Sequence, residues 1–342
     1  MRIGILNGGG DCAGLNSVTR AVLKAAESKG DTVVGVLEGW NGLMEGKFKQ
    51  IKFSHFEGLI GSGGTALSTS RTNPLKKPGG LATVERNLKK AKIDALIAVG
   101  GDDTLGVATK LSERGFKVVG VPKTIDNDLA GTDYSFGFFT AVDEAMRMLE
   151  SLATTGRSHG RVMVVEVMGR DAGWISAFAG LAAGANMILV PEFETSPDDV
   201  VSLVKSRYRN GQRSALIVVA EGVKLSYDDG KIQKDEFGHP LLAKAAGENN
   251  ASFLARYIEK EAKVETRATV LGHTIRGTAP NAYDRIMTTM LGYKAVEALH
   301  SGRAGVMVAV HGTKVVEVPL AEGSRKKYMD RATWELVSGM FG

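Results

Sequence analysis

Several familiar features are missing from this sequence. It has one cysteine, Cys12, so no internal disulfide can form and a reduced, cytoplasmic setting is expected. Its most membrane-like stretch, residues 177–190, has only 14 residues and contains Asn186. That is short of the roughly 18 needed to cross a bilayer, so no membrane association is expected. Strand-like residues 2–6 begin the chain with no leader-type apolar core before them. There is no G-x-x-x-x-G-K-[ST], which excludes a P-loop, and no G-x-S-x-G nucleophile elbow. Six histidines are scattered without an H-E-x-x-H pair or a cysteine partner, so no zinc centre is expected. The net charge of +5 is dispersed in small clusters such as Lys76-Lys77, Lys89-Lys90 and Arg325-Lys326-Lys327. A nucleic-acid binder would concentrate it in a stripe with aromatics, whereas small anionic substrates suit a dispersed excess.

What is abundant is glycine, 43 of 342 residues, in a chain that is 43% hydrophobic. That combination suggests tight strand-to-helix turns and backbone brought close to a ligand. The length corresponds to two domains or lobes at about 150 residues each. Strands are expected at 2–6, 32–37, 95–99, 118–121, 162–167, 187–190, 215–220, 267–271 and 306–310. Most are continuous apolar runs, the pattern of strands covered on both faces. Helical spacing falls between them. Residues 16–29 carry Val18, Ala21, Val22 and Ala25 on one face, and a second helix starts at Pro197 with Val200, Leu203 and Val204 inward. The alternation predicts an α/β fold with mainly parallel sheets sandwiched by helices, two lobes sharing a cleft. Polar residues 227–238 read as an exposed hairpin or loop.

The chemistry-bearing segments lie at the carboxyl ends of these strands. Gly8-Gly9-Gly10-Asp11-Cys12-Ala13-Gly14 offers backbone N–H groups and a helix start to an anion. Read as G-x-G-x-x-A, with Glu38 ending the next strand, it also fits a dinucleotide fingerprint, and a ligand-free turn would explain the same glycines. Gly100-Gly101-Asp102-Asp103-Thr104 places two adjacent carboxylates where a cation such as Mg²⁺, which takes one or two carboxylates plus phosphate oxygens and water, would relieve their repulsion. They are equally suited to a helix N-terminus. Pro122-Lys123-Thr124-Ile125-Asp126-Asn127-Asp128 gathers a lysine, a hydroxyl, an amide and two acids in one turn, and a carboxylate there could take a proton from a hydroxyl. Met168-Gly169-Arg170-Asp171, Glu221-Gly222, and Arg267 through His273 and Arg276 follow the later strands. Arg161, Arg170, Arg267 and Arg276 flank strand ends, where guanidinium forks could grip phosphate.

Taken together, and in this order along residues 2 to about 285, these segments resemble the 6-phosphofructokinase family. The resemblance implies a phosphofructokinase-type fold of two Rossmann-like lobes. Residues 1–137 plus about 275–325 would bind the phosphoryl donor, and residues 138–274 plus about 326–342 the sugar phosphate. It implies that Gly10, Arg71, Asp103, Thr104 and Lys123 face the donor and that Asp102 holds Mg²⁺. Asp126 would accept the proton of the sugar 1-hydroxyl, with Thr124 and Asp128 beside it and Arg170 assisting. Met168, Gly169, Arg170 and Glu221 would hold the sugar, and Arg161, Arg267, His273 and Arg276 its 6-phosphate end. Arg161 and Arg267 would reach in from a neighbouring copy, which implies a homodimer or homotetramer.

The resemblance also bears on the donor. ATP-using members typically carry glycine where this chain has Asp103 and Lys123, a pair that resembles the pyrophosphate-dependent branch. Asp103 would fill and charge the space of a nucleotide α-phosphate, and Lys123 would add a cation for pyrophosphate. The expected reaction is therefore phosphoryl transfer from pyrophosphate to fructose 6-phosphate. The alternatives are the same transfer from ATP, a Rossmann dinucleotide oxidoreductase, and a non-catalytic sugar-phosphate sensor, which the retention of Asp102 and Asp126 disfavours. The chain departs from the family at Ala13, where proline is usual, and at Thr274 and Ile275.

Overall fold

The computed structural model describes residues 1–225 and 247–342; the segment 227–238, expected to be a hairpin or loop, lies outside the described residues. The strands are β1 (Arg2–Asn7), β2 (Thr32–Val36), β3 (Phe48–Ile51), β4 (Ala95–Gly100), β5 (Lys117–Pro122), β6 (Val162–Val167), β7 (Met187–Leu189), β8 (Ala215–Ala220), β9 (Thr266–Val270), β10 (Val306–His311) and β11 (Lys314–Pro319). The helices are α1 (Leu15–Ser28), α2 (Gly39–Glu45), α3 (Gly80–Lys90), α4 (Asp102–Glu113), α5 (Phe138–His159), α6 (Trp174–Ala182), α7 (Pro197–Arg209), α8 (Asn250–Ala262), α9 (Ala282–His300) and α10 (Arg331–Ser338). None of the described helices is long and apolar enough to cross a membrane.

The chain divides into two compact units, residues 1–141 with 276–327, and residues 142–275 with 328–342. The first unit runs a few residues past the expected limits at both junctions. Phe138–Ala141 stay with it because the buried Asp284 carboxylate accepts from the Gly137 and Thr140 amides, both at 3.0 Å. Lys326 and Lys327 stay because both bond to the 127–133 turn.

The first unit is built on a seven-stranded sheet of order β11-β10-β5-β4-β1-β2-β3. The five inner strands are parallel and the two edges antiparallel. All six residues of β4 are buried, which is why this strand reads as one apolar run. Helix α1 buries Val18, Ala21, Val22 and Ala25 as its spacing predicts. The chain goes from β1 to β2 on one side and returns to β4 on the other, so the strand order reverses between β1 and β4. Ligands of open α/β sheets bind at the carboxyl ends of strands beside such a switch point.

The second unit carries a four-stranded parallel sheet of order β7-β8-β6-β9. Its core packs Val162, Val164, Ile217 and Val219 against α7 and α8, with Val200, Val204, Phe253 and Leu254. Ser196 caps α7 in a reciprocal capping box with Asp199, its hydroxyl accepting the Asp199 amide at 3.1 Å.

The edge strands β3 and β11 lay outside the sequence expectations. Each is half-exposed and interrupted by charge, as in Lys49 and Glu317, so neither makes a continuous apolar run. Both pair antiparallel with a neighbour, and the exposed charges protect an otherwise open sheet edge.

Candidate functional site

In the first unit, the parallel register of β1, β4 and β5 brings three turns side by side. The Gly8 amide donates to the Val99 carbonyl at 2.9 Å and the Lys123 amide to the Gly100 carbonyl at 3.0 Å. The segments 8–14, 100–104 and 122–128 therefore form one surface beside the switch point. Thr69 and Ser70 strap the first turn: the Thr69 hydroxyl donates to the Gly9 carbonyl at 2.7 Å, and the Gly9 amide donates to the Ser70 carbonyl at 2.9 Å. Arg71, next in the strap, is exposed. Thr104 is only 2% exposed and is wedged between the first two turns, where a Cβ on either Gly8 or Gly100 would overlap it. The structure thus gives this residue, expected to face the donor, a packing position.

Lys123 is also buried, at 3% exposure, and its Nζ donates to the Gly10 carbonyl at 2.6 Å. Burial pulls its amine below the usual lysine range, with Arg276 pushing the same way and Asp126 and Asp11 opposing. The neighbouring Cys12 thiol is pushed up to about 12 by burial and stays protonated. Arg276 belongs to this unit: its Nε and a terminal nitrogen donate to the Asp11 carbonyl at 3.1 and 3.0 Å. Its guanidinium lies where a Cβ of Gly10 would be, which explains the glycine. His273, expected to act alongside Arg276, falls in the second unit.

Asp102 and Asp103 open α4, where the helix dipole favours carboxylates. Asp103 is held from the side by Asn73, whose amide nitrogen donates to it at 2.9 Å, with Lys76 at 3.8 Å. In the third turn the Asp126 amide donates to the Thr124 hydroxyl at 3.1 Å. Asn127 has φ 51°, a left-handed conformation that asparagine tolerates. Its side-chain oxygen accepts the Ser135 amide at 3.0 Å, which fixes the reversal between Asp126 and Asp128. Asp128 is buried and paired with Lys326, whose amine also lies 3.2 Å from Asp102. Among the described residues no three His, Cys, Asp or Glu side chains converge as a ready-made metal cage. Two carboxylates around one cation, with room for phosphate and water, is the donor set Mg²⁺ prefers, so Asp102 fits that ion better than a metal needing a closed protein cage.

In the second unit the turns after β6 and β8 meet. The Gly222 amide donates to the Gly169 carbonyl at 3.0 Å and the Glu221 amide to the Val167 carbonyl at 2.9 Å. Met168, Gly169 and Glu221 therefore share one edge, and Arg170 is exposed beside Asp171. Asn250, at the head of α8, donates to the carbonyls of Ala220, Glu221 and Val223 at 3.1–3.2 Å and holds the second turn. Arg161 and Arg267 lie elsewhere. They precede β6 and sit near the start of β9, at the amino ends of the strands, where both pair with Glu265. A six-residue strand separates the two edges by about 20 Å. Within one chain these arginines are thus not brought together with Met168 and Glu221.

Comparison with known proteins agrees with this architecture. Residues 2–299 match the family described as Phosphofructokinase. The chain belongs to the phosphofructokinase family. It is 47% identical to a pyrophosphate–fructose 6-phosphate 1-phosphotransferase of Streptomyces coelicolor, with 100% of both chains covered. It is 45% identical to the ATP-dependent 6-phosphofructokinase 2 of the same organism, with 94% of each covered. The crystal structure of a pyrophosphate-dependent phosphofructokinase from Marinobacter aquaeolei shares the fold, with a TM-score of 0.84 at 20% identity over 100% of this chain and 91% of that one.

Membership in the phosphofructokinase family removes the dinucleotide oxidoreductase reading. Glu38, its proposed ribose ligand, is engaged by Lys47 at 2.9 Å and Asn41 at 3.2 Å. Sequence reasoning overlooked three side chains that hold these phosphofructokinase turns: Asn73, Asn250 and Lys326. Lys326 stood in a basic cluster, Asn73 at a cap and Asn250 in the first turn of a helix, so none carried a local signal of what it touches.

Proposed function

We propose that the chain transfers a phosphoryl group from pyrophosphate to the 1-hydroxyl of fructose 6-phosphate, giving fructose 1,6-bisphosphate and inorganic phosphate. The observation that carries the donor choice is Asp103, a second carboxylate in the first turn of α4, anchored by Asn73. A glycine there would leave space for a nucleotide; the carboxylate fills it and repels an α-phosphate.

The first unit would bind the donor through Gly10, Arg71 and Lys123, with Thr104 supporting the turns from within. Asp102 would hold Mg²⁺, which when bound neutralises charge on the donor phosphates. The sugar 1-hydroxyl oxygen attacks the terminal phosphorus, its proton passes to a carboxylate oxygen of Asp126, and phosphate leaves. Thr124 and Asp128 fix the turn that presents this base. In the second unit Met168, Gly169, Arg170 and Glu221 would hold the sugar, and His273 the 6-phosphate end. Arg276 would bind the 6-phosphate end as well, and within the first unit its guanidinium donates to the Asp11 carbonyl. Transfer of this kind depends mainly on positioning and charge neutralisation, and no phosphoenzyme is required. Arg161 and Arg267 would serve a neighbouring copy in a homodimer or homotetramer, which accounts for their place at the opposite strand ends. The single buried cysteine suits a cytoplasmic enzyme.

The reading with ATP as donor draws on the 45%-identical ATP-dependent relative. One assay separates the two: kcat/KM for pyrophosphate and for ATP, with Mg²⁺ and fructose 6-phosphate, in the native chain and in Asp103→Gly. A carboxylate about 4 Å from a phosphate charge costs on the order of 4 kcal/mol at an effective dielectric near 20. Screening by Mg²⁺ and water lowers this to ~1–3 kcal/mol, or roughly 5- to 150-fold. The native chain is expected to prefer pyrophosphate, and the variant to shift the ratio toward ATP by that factor. A native preference for ATP would reassign the donor, and no turnover with either would end the phosphotransferase reading.

A further inference from the structure

The final segment of the first unit runs alongside the 122–128 turn. Leu129 and Lys326 form an antiparallel bridge, the Ala130 amide donates to the Arg325 carbonyl at 2.9 Å, and the Lys327 amide donates to the Asp128 carbonyl at 2.8 Å. These bonds fix the backbone of Lys326. Its ammonium hydrogen-bonds Asp128 and lies 3.2 Å from Asp102 Oδ2. The Asp128 side chain is 5% exposed and that of Asp102 40%, so one cation ties a buried acid to a reachable one.

We propose that Lys326 is the resident counter-ion of the Asp102–Asp128 pair, a positioning residue that a divalent cation must displace from Asp102. This rests on the reading of Asp102 as the metal ligand. A buried carboxylate such as Asp128 needs a partner at all times. A lysine ammonium, a compact charge on a flexible stem, can keep that contact while releasing the outer acid. With Lys326 present the pair and its partner carry a net single negative charge rather than two. A bare divalent cation is then held weakly, and one that arrives already bound to phosphate oxygens is favoured.

The test uses Mn²⁺ alone as the probe, titrated into the full chain without donor or sugar, with free Mn²⁺ read by electron paramagnetic resonance. Lys326→Gln keeps a hydrogen-bond donor for Asp128 without the charge, and Lys326→Met keeps the apolar stem. Loss of one positive charge a few ångströms from a divalent ion is expected to tighten Mn²⁺ binding roughly ten-fold in Lys326→Gln, and by less in Lys326→Met, where the unpartnered Asp128 tends to take up a proton. Lys326→Arg restores the charge and should return binding towards the native value. A merely structural tether would not strengthen metal binding when cut. Unchanged or weaker binding in folded Lys326→Gln would overturn the counter-ion role. Asp102→Asn separates the two ideas: if it leaves native Mn²⁺ binding intact, the assignment of the metal to Asp102 fails instead.

Discussion

Asp126 and Lys327 both serve the segment 122–133 and make different demands on it. Asp126 has to be charged and placed; replacing it with asparagine preserves shape and removes the base. Asp126→Asn is expected to retain the fold and sugar binding while kcat falls by about 10²–10⁴-fold, the usual weight of a positioned base. Steady-state kinetics beside a fructose 6-phosphate binding isotherm would check this, and a near-normal kcat would remove Asp126 from the role. Lys327 braces the turn by donating to the carbonyls of Thr132 and Asp133 at 2.9 and 2.8 Å. Burial pushes its amine down to about 8. The unfolded chain therefore keeps this proton up to the ordinary lysine value near 10.4 while the folded chain gives it up near 8. Between those values the unfolded state binds more protons, so this residue's contribution to stability rises with pH. Below pH 8 the burial penalty is fully present. Urea unfolding at pH 7, 9 and 10 should show native stability rising relative to Lys327→Met across that window; a constant difference would contradict the shift.

At the scale of elements, long-range capping decides where two helices begin. Helix α5 begins on the carboxylate of Asp284, from α9, which accepts the Gly137 and Thr140 amides and the Thr140 hydroxyl. Asp284→Ala would leave those buried donors unpaired and is expected to cost roughly 3–5 kcal/mol, read as a lower urea midpoint at unchanged m-value. A loss below about 1 kcal/mol would mean that water replaces the cap. Helix α8 begins in the same way on Glu166 of β6, which accepts the Asn250 and Ala251 amides. These caps join residues far apart in sequence, and that separation limits what the sequence discloses. The parallel strands β1, β4, β6 and β8 were legible because burial on both faces writes an apolar run. The turns after them were legible because glycines and acids at a strand's carboxyl end are an unusual combination. The edge strands β3 and β11 were not, because a half-exposed strand alternates with charge. Lys326 was hidden for another reason: its partners lie some 200 residues away, and nothing local in Arg325-Lys326-Lys327 distinguishes it from a solvated cluster.

For the whole molecule, the two edges of the second unit's sheet pose a question of stoichiometry. If Arg161 and Arg267 complete a neighbour's site, Arg267→Ala and Asp126→Asn chains, each inactive alone, should regain a fraction of activity when unfolded together and reassembled. Native chains diluted to monomers, verified by analytical ultracentrifugation, should lose turnover. A fully active monomer would end the shared-site reading. Chain order brings a further consequence. The first unit begins at the amino terminus, yet its sheet takes β10 and β11, and its α5 cap takes Asp284, from residues beyond 275. On the ribosome, a nascent chain that has emerged to residue 275 holds every strand of the second unit's sheet, while β5 still exposes the edge that β10 will cover. Of the two sheets, the one begun first is thus the one completed last. Until β10 emerges, that bare parallel strand is an open edge on which the growing chain can pair wrongly.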